Sequence, residues 1–295
     1  MRQPEPLTTV PAAPAAPTAS VPATPVASPA AGWPVSADLE RPLGDHAGAP
    51  RVHVAGGIAQ LRLARPAEHN RLDPADLDAM TAWFSALATD GSVRVLVITG
   101  TGERSFSSGY TLDAIVSDLD DRLERMLDTL ETLPFLTLAA MNGSVYGGAT
   151  DLALACDIRL GPQGCRMFMP AAKFGLHYYP GGLRRYVTRL GLAAAQKLFL
   201  TAMTIDSDEM LRIGFLTEAV PASGLAARVQ AYLEAALLTE PVAVREMKRH
   251  LGQVAAGRYD ELTLRAATQR SLASPALRER LGERAGGGNT KGAGR

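Results

Sequence analysis

The sequence predicts an α/β core followed by a helical C-terminal region, on three observations. Near-continuous apolar runs at 93–99 and 135–141 read as strands buried on both faces. They alternate with stretches in which apolar residues recur at helical spacing. From Leu225 the pattern is helical through Leu251 and on to Leu281.

Residues 1–49 are Pro/Ala-rich, with Pro11, Pro14, Pro17, Pro22, Pro25 and Pro29 closely spaced. Such a run propagates no helix and buries little, which predicts a disordered tail with polyproline-II character. A core is expected over 50–222. It opens with strands at 52–55 and 58–63 around the Gly56-Gly57 turn. Asp73-Pro74 reads as an N-cap with proline at the first helical position, and Leu77, Met80, Phe84 and Leu87 form one face of that helix. The strand at 93–99 runs into a polar loop containing Gly100, Gly102 and Ser105 to Tyr110. An acidic helix at 118–132 presents Leu119, Leu123, Met126, Leu127 and Leu130. The strand at 135–141, the turns Asn142-Gly143 and Gly147-Gly148, a helix at 149–155 and a strand at 157–160 follow. Helices at 181–190, 193–201 and from Ser207 to Gly214, then a strand at 216–220, complete the core. A helical region at 223–285 and a flexible glycine-rich tail at 286–295 end the chain.

Lys+Arg and Asp+Glu balance at 30 each, so no global charge favours nucleic acid or an acidic membrane surface. No apolar run is long enough for a membrane span, and prolines interrupt any signal-peptide core. Cys156 and Cys165 are the only cysteines, too few for a disulfide framework or a zinc pattern. They fit buried residues in a reducing compartment, and the expected location is cytoplasmic. His46, His53, His69, His177 and His250 show no metal-ligand spacing. Neither a P-loop nor a dinucleotide fingerprint is present, and Ser107-Ser108 lacks a nucleophile-elbow context.

Two glycine-marked loops remain, each after an apolar strand: Ser108-Gly109-Tyr110 and Gly147-Gly148-Ala149. Converging backbone N–H groups from such loops form an oxyanion hole, although tight turns at strand ends would read the same way. Gly148 opens a helix, where the dipole favours negative charge. Asp151 follows one turn later, either as an acid/base or as an acidic complement to that dipole.

The chain resembles the crotonase (enoyl-CoA hydratase/isomerase) superfamily over roughly 51–251. The resemblance rests on Ala-Arg-Pro-Ala-Glu-His-Asn at 64–70, Val-Arg-Val-Leu-Val-Ile-Thr-Gly at 93–100 and Phe-Ser-Ser-Gly-Tyr-Thr-Leu at 106–112. It continues through Leu-Ala-Ala-Met-Asn-Gly at 138–143, Tyr-Gly-Gly-Ala-Thr-Asp at 146–151, Ala-Cys-Asp at 155–157, Pro-Gly-Gly-Leu at 180–183 and Leu190-Gly191. It implies a repeated ββα spiral core with a helical C-terminal region, assembled as a homotrimer or dimer of trimers. It also implies an acyl-CoA substrate, or an acyl carrier protein thioester, and no tightly bound cofactor; coenzyme A enters as part of the substrate. The oxyanion amides fall on Tyr110 and Gly148, holding the thioester oxygen as an enolate develops.

CoA contacts are implied for Glu68, His69, Asn70, Arg71 and Leu72, for Phe106, and for Lys248, which also fits a solvated surface lysine. The family's first hydratase glutamate maps to Asp151 and the second to Ala171, which transfers no proton. His177 or Tyr179, in the loop before Pro180, is the expected replacement partner of Asp151. His177 also fits a backbone-bonding loop residue, and Tyr178 and Tyr179 fit pocket or interface positions. A naphthoate-forming branch lacks the same glutamate and uses bound bicarbonate, so an exogenous base is a further alternative. Enoyl-CoA hydration or isomerisation is the implied chemistry. Decarboxylation, hydrolysis or C–C cleavage on the same scaffold, and non-catalytic acyl-CoA binding, are the alternatives.

Overall fold

A computed structural model describes residues 41–111 and 120–287, with side chains through 282. The expected tail up to residue 40, Leu112 of the 106–112 motif, and Leu119 with the start of the acidic helix lie outside the described residues. Residues 41–49, expected within the tail, are instead attached to the core. β1 (Arg41–Pro42) pairs antiparallel with β2 (Arg51–Ala55), and the Leu43 N–H donates to the Pro50 carbonyl at 2.8 Å.

The Gly56-Gly57 turn returns β2 antiparallel onto β3 (Ile58–Leu63). α1 (Pro74–Thr89) starts where expected, and Asp76 Oδ2 accepts from the Asp73 N–H at 2.8 Å. Its Leu77, Met80, Phe84 and Leu87 are buried, as the spacing predicts. β4 (Val95–Gly100) is nearly all buried and pairs parallel with β3.

From there the chain repeats a unit: one strand in a large sheet, a short strand in a second sheet, then a helix. β5 (Ser105–Ser107) and α2 (Arg122–Glu131) complete the first unit. β6 (Leu136–Ala140), β7 (Ser144–Tyr146) and α3 (Gly148–Ala155) make the next. β8 (Ile158–Pro162), β9 (Arg166–Phe168) and α4 (Pro180–Leu190) make the third. α5 (Leu192–Thr201), β10 (Ile205–Asp206), α6 (Ser207–Arg212) and β11 (Glu218–Val220) follow. The seven-stranded sheet has order β1-β2-β3-β4-β6-β8-β11 and is parallel from β3 onward. The four-stranded sheet has order β10-β9-β7-β5. This is the expected ββα spiral.

The second sheet is the main departure from the sequence reading, which placed a polar loop over 100–110. Its strands are two or three residues long. That is too short for alternation to show, and pairing with neighbours defines them. The core between the sheets and helices includes Phe84, Phe106, Met126, Leu154 and Phe215. α7 (Leu225–Leu237), α8 (Pro241–Ala255), α9 (Glu261–Ala273) and α10 (Pro275–Gly287) form the helical C-terminal region. Among the described residues, no helix is long and apolar enough to cross a membrane.

Candidate active site

The two glycine-marked turns meet because β5 and β7 are neighbours in the small sheet. Gly109 has φ +88°, and a Cβ there would lie 2.7 Å from Gly148 N and 2.8 Å from the Tyr146 carbonyl oxygen. Only glycine lets the turns come this close. Tyr110 N is 3.7 Å from the position a Cβ on Gly148 would take, so the amides of residues 110 and 148 are close neighbours. Gly148 is the first residue of α3, so its N–H has no intrahelical acceptor.

The segment at 69–72 pins the first turn. The Leu72 N–H donates to the Gly109 carbonyl at 2.8 Å, and the Thr111 N–H donates to the Leu72 carbonyl at 3.0 Å. Ser107 Oγ donates to the Asn70 carbonyl at 2.7 Å and accepts from the Gly109 N–H at 3.0 Å. Asn70 Nδ2 donates to the carbonyls of Thr101 and Ser105, both at 3.0 Å.

A cavity of about 310 Å³ opens beside the turns. Tyr110, Gly148, Ala171, His177, Tyr178 and Tyr179 all line it, with Leu123, Met169 and Leu176 adding apolar wall. Ala171 is buried here, so this part of the wall carries a methyl group. His177 is exposed at this wall, and among the described residues none hydrogen-bonds its ring.

Asp151 lies differently from an acid/base open to substrate. It has no exposed surface. Oδ1 accepts from Arg185 Nε at 2.8 Å and Oδ2 from Arg185 Nη2 at 3.0 Å. Tyr179 also donates to Oδ2, and Tyr178 Oη stands 3.4 Å from Oδ2 and 3.0 Å from Tyr179 Oη. A buried carboxylate requires such pairing. Burial, followed for Tyr178 by the neighbouring Tyr179 phenol and Asp151 and for Tyr179 by Asp151, pushes both hydroxyls well above their ordinary pKa of 10.0; the Tyr178 hydrogen bond works the other way on Tyr179. Burial opposes the charge on Arg185, but its bonds to Asp151 prevail and its pKa is raised. Arg185 Nη1 also reaches Asp128 at 2.6 Å and Glu131 at 3.2 Å.

Several expected CoA contacts are committed elsewhere. Lys248 Nζ donates to the Phe135 carbonyl at 2.9 Å and to Asp157 Oδ2 at 2.6 Å, so its ammonium ties α8 to the rim of β6. The two expectations for it are a lysine near the CoA phosphates and a solvated surface lysine; in the structure the ammonium is held by these two oxygens. Phe106, Asn70 and Leu72 are at most 1% exposed, so their side chains belong to the core and the loop clamp. His69 Nδ1 lies 3.1 Å from Ser105 Oγ, Glu68 pairs with Arg71, and Arg71 Nε bonds Asp73 at 3.0 Å.

Sequence reasoning missed Arg185, Gly182 and Asp120. A Cβ on Gly182 would lie 2.2 Å from the Tyr178 ring, so the glycine admits that ring beside Asp151. Gly182, Arg185 and Tyr186 share one face of α4 at i, i+3, i+4, a pattern legible once Asp151 is known to need a counter-charge. Asp120 is the one carboxylate among the described lining residues. Hydrogen bonds from the Arg122 backbone and guanidinium hold its pKa below the usual value. Burial pushes the Cys156 thiol up to about 12 and Cys165 up to about 11, which excludes both as resting nucleophiles. Among the described residues, no group of three or more His, Cys, Asp or Glu is placed to hold a metal.

A ββα spiral with two adjacent backbone amides beside an apolar cavity defines a crotonase-fold enzyme. The enoyl-CoA hydratase/isomerase family profile matches residues 53–279, and the chain belongs to that family of acyl-CoA-processing enzymes. The short-chain-enoyl-CoA hydratase of Clostridium acetobutylicum is 28% identical over 205 residues, covering 67% of this chain and 78% of its own length. The (E)-benzylidenesuccinyl-CoA hydratase of Thauera aromatica is 29% identical over 204 residues, covering 67% and 80%. Among solved structures, Pseudomonas aeruginosa DspI superposes with a TM-score of 0.70 at 25% identity, covering 78% of this chain and 90% of that one. A Magnetospirillum magneticum enoyl-CoA hydratase/carnithine racemase superposes with a TM-score of 0.74 at 22% identity, covering 83% and 93%, a likeness of fold.

Proposed function

We propose that the chain binds an acyl-CoA with its thioester oxygen on the N–H groups of Tyr110 and Gly148 and carries the acyl group through an enolate. The observation that supports this is the contact of the two turns beside the cavity, which gathers two amides at one wall. The reaction proposed is hydration of an enoyl-CoA or movement of its double bond, in keeping with the named hydratases among its relatives. His177, exposed at the cavity, is assigned the proton exchange with solvent. Asp151 is assigned a supporting role, because Arg185 pairs its charge and Tyr179 stands over it. The proposed assembly is a homotrimer or dimer of trimers, supported by exposed Met247, Leu251, Val254, Leu262 and Leu272 on α8 and α9. The buried thiols favour a reducing compartment, the cytoplasm.

A second reading, acyl-CoA binding without turnover, is favoured by the methyl group at Ala171 and the paired charge of Asp151. Hydrogen exchange at the acyl carbon next to the thioester separates the two. A saturated acyl-CoA incubated with the enzyme in deuterated buffer is expected to take up deuterium at that carbon, read by mass spectrometry. Binding without exchange, and without turnover of any enoyl-CoA supplied, sinks the enolate reading and leaves the second.

A further inference from the structure

The Tyr110 N–H shares a peptide unit with the Gly109 carbonyl, and in a trans peptide the two point in opposite directions. The Leu72 N–H donates to that carbonyl at 2.8 Å, so the bond that aims the carbonyl also aims the amide. The Leu72 N–H in turn shares its peptide unit with the Arg71 carbonyl, and Arg65 Nη1 donates to that carbonyl at 3.3 Å. A chain of two peptide units thus runs from a guanidinium to the Tyr110 amide. Each hydrogen bond in such a chain polarises the next, which strengthens the donor at its end. The loop between is closed on Arg65 as well. The Arg65 carbonyl accepts from the Glu68 N–H at 3.0 Å and from the Asn70 N–H at 2.7 Å. His69 and Asn70 both have φ +54°, left-handed backbone that residues other than glycine seldom adopt. The closed loop holds them there.

The guanidinium is fixed from its other side. It pairs with Asp76, which has no exposed surface, and its Nη2 lies 3.2 Å from Asp73 Oδ2. Residues 43–49 close over this pair. His46 Nε2 stands 2.7 Å from Asp76 Oδ1. Gly48, at φ +75°, lies against the Arg65 stem: a Cβ there would be 2.6 Å from Arg65 Cγ. Arg65 is left 7% exposed, and Ala49 is buried beside it in the chain. A charge shielded from water in this way acts more strongly on the dipoles next to it. The segment at 41–49, which composition alone assigns to the tail, is therefore the cover of a buried cation one loop away from the oxyanion turn.

Resting on the acyl-CoA reading above, we propose that Arg65 is a positioning residue for the oxyanion hole. Its guanidinium orients and polarises the Tyr110 N–H through the Arg71–Leu72 and Gly109–Tyr110 peptide units, and residues 43–49 hold it in place. Arg65 touches no substrate in this role; it acts through the backbone.

The test is difference infrared spectroscopy of butyryl-CoA, isotope-labelled at its thioester carbonyl and bound to the full-length protein. Oxyanion donors lower the stretching frequency of that carbonyl below its value in water. Arg65→Met keeps most of the aliphatic stem and is expected to lose about 10–30% of the lowering, the share that cooperative polarisation supplies. On an enoyl-CoA that the protein turns over, kcat is expected to fall about twofold to eightfold, the same share of one oxyanion donor, with KM within about twofold. Arg65→Lys, which keeps a cation, is expected to retain more of the lowering than Arg65→Met. The double variant Arg65→Met with Asp76→Leu leaves no carboxyl group buried without its cation, and the same loss is expected from it if the single variant does not fold. Leu87→Ala, at the opposite end of α1 from Asp76, is the control for stability: its urea midpoint should fall and the carbonyl frequency should not move. A frequency unchanged in the folded Met variants, or an equal change in Leu87→Ala, overturns the proposal. If butyryl-CoA does not bind, or binds with its stretch no lower than in water, the acyl-CoA reading falls and this inference with it.

Discussion

The two sides of the cavity are built from different materials. At the turns the polar groups are backbone: the amides of Tyr110 and Gly148, set by strand pairing and by the close approach at Gly109. At the tyrosines they are side chains, held by a buried ion pair and tight ring packing. A backbone amide survives most substitutions at its own position. A buried carboxylate survives none of the changes that remove its partner. Functional change within this fold is therefore expected at the side-chain end, where Asp151 and Ala171 stand.

The strongest test of the backbone side is Gly148→Pro. Proline is well tolerated at the first position of a helix, so this change removes the N–H with little cost to α3. Loss of one oxyanion donor is expected to lower kcat by about 10²–10³-fold. Gly148→Ala is the control: its methyl would meet Leu123 at 3.4 Å, an ordinary contact, and the N–H remains. Steady-state kinetics on the same enoyl-CoA should separate the two variants, and equal rates would remove Gly148 from the proposed role.

On the side-chain side, Arg185→Leu should have the largest effect on stability. It leaves the Asp151 carboxyl group fully buried and without its cation. Breaking such a pair from one side costs about 3–5 kcal/mol, readable as a lower urea midpoint. A shift under 1 kcal/mol would mean the cluster relaxes to admit water, and the contrast between the two sides would weaken. A smaller effect is expected from Gly182→Ala. The new methyl would overlap the Tyr178 ring at 2.2 Å, and overpacking of this kind costs about 1–3 kcal/mol. Gly181→Ala next to it should be milder. Its methyl would meet the carboxylate ends of Asp128 and Glu124 at 2.9 and 3.0 Å, which can shift more easily than a packed ring, at the expense of the bonds they make to Arg185 and to the Gly181 N–H.

The same contrast explains what was legible in the sequence. The strands of the large sheet and α1 announce themselves through long apolar runs and a capped, periodic helix. The turns at Gly109 and Gly148 were marked because glycine is the residue a close approach demands. The small sheet was hidden because its strands are too short to carry a period. The Asp151–Arg185 pair was hidden because it joins α3 to α4 across residues remote in sequence. An arginine on a helix reads as surface charge until the buried carboxylate opposite it is known. Asp151 could be picked out as a carboxylate near the oxyanion amide, but its orientation and its partners belong to the tertiary fold.

Lys248 carries the smallest predicted effect, because its charge is committed to the scaffold. Its ammonium bonds Asp157 and the Phe135 carbonyl, both partly or wholly withdrawn from solvent. Asp157 in turn accepts from the Thr137 N–H at 2.8 Å, so the three groups hold the starts of β6 and β8 against α8. Lys248→Met keeps most of the aliphatic stem and removes only the charge, so the expected loss is about 1–2 kcal/mol in stability. The KM for acyl-CoA should stay where it was, because the three donors of the ammonium face the Phe135 carbonyl, Asp157 and, at 3.5 Å, Thr137 Oγ1. A variant that keeps its urea midpoint but binds CoA esters several-fold more weakly would reverse this assignment. It would then place Lys248 with the ligand-facing residues rather than with the scaffold.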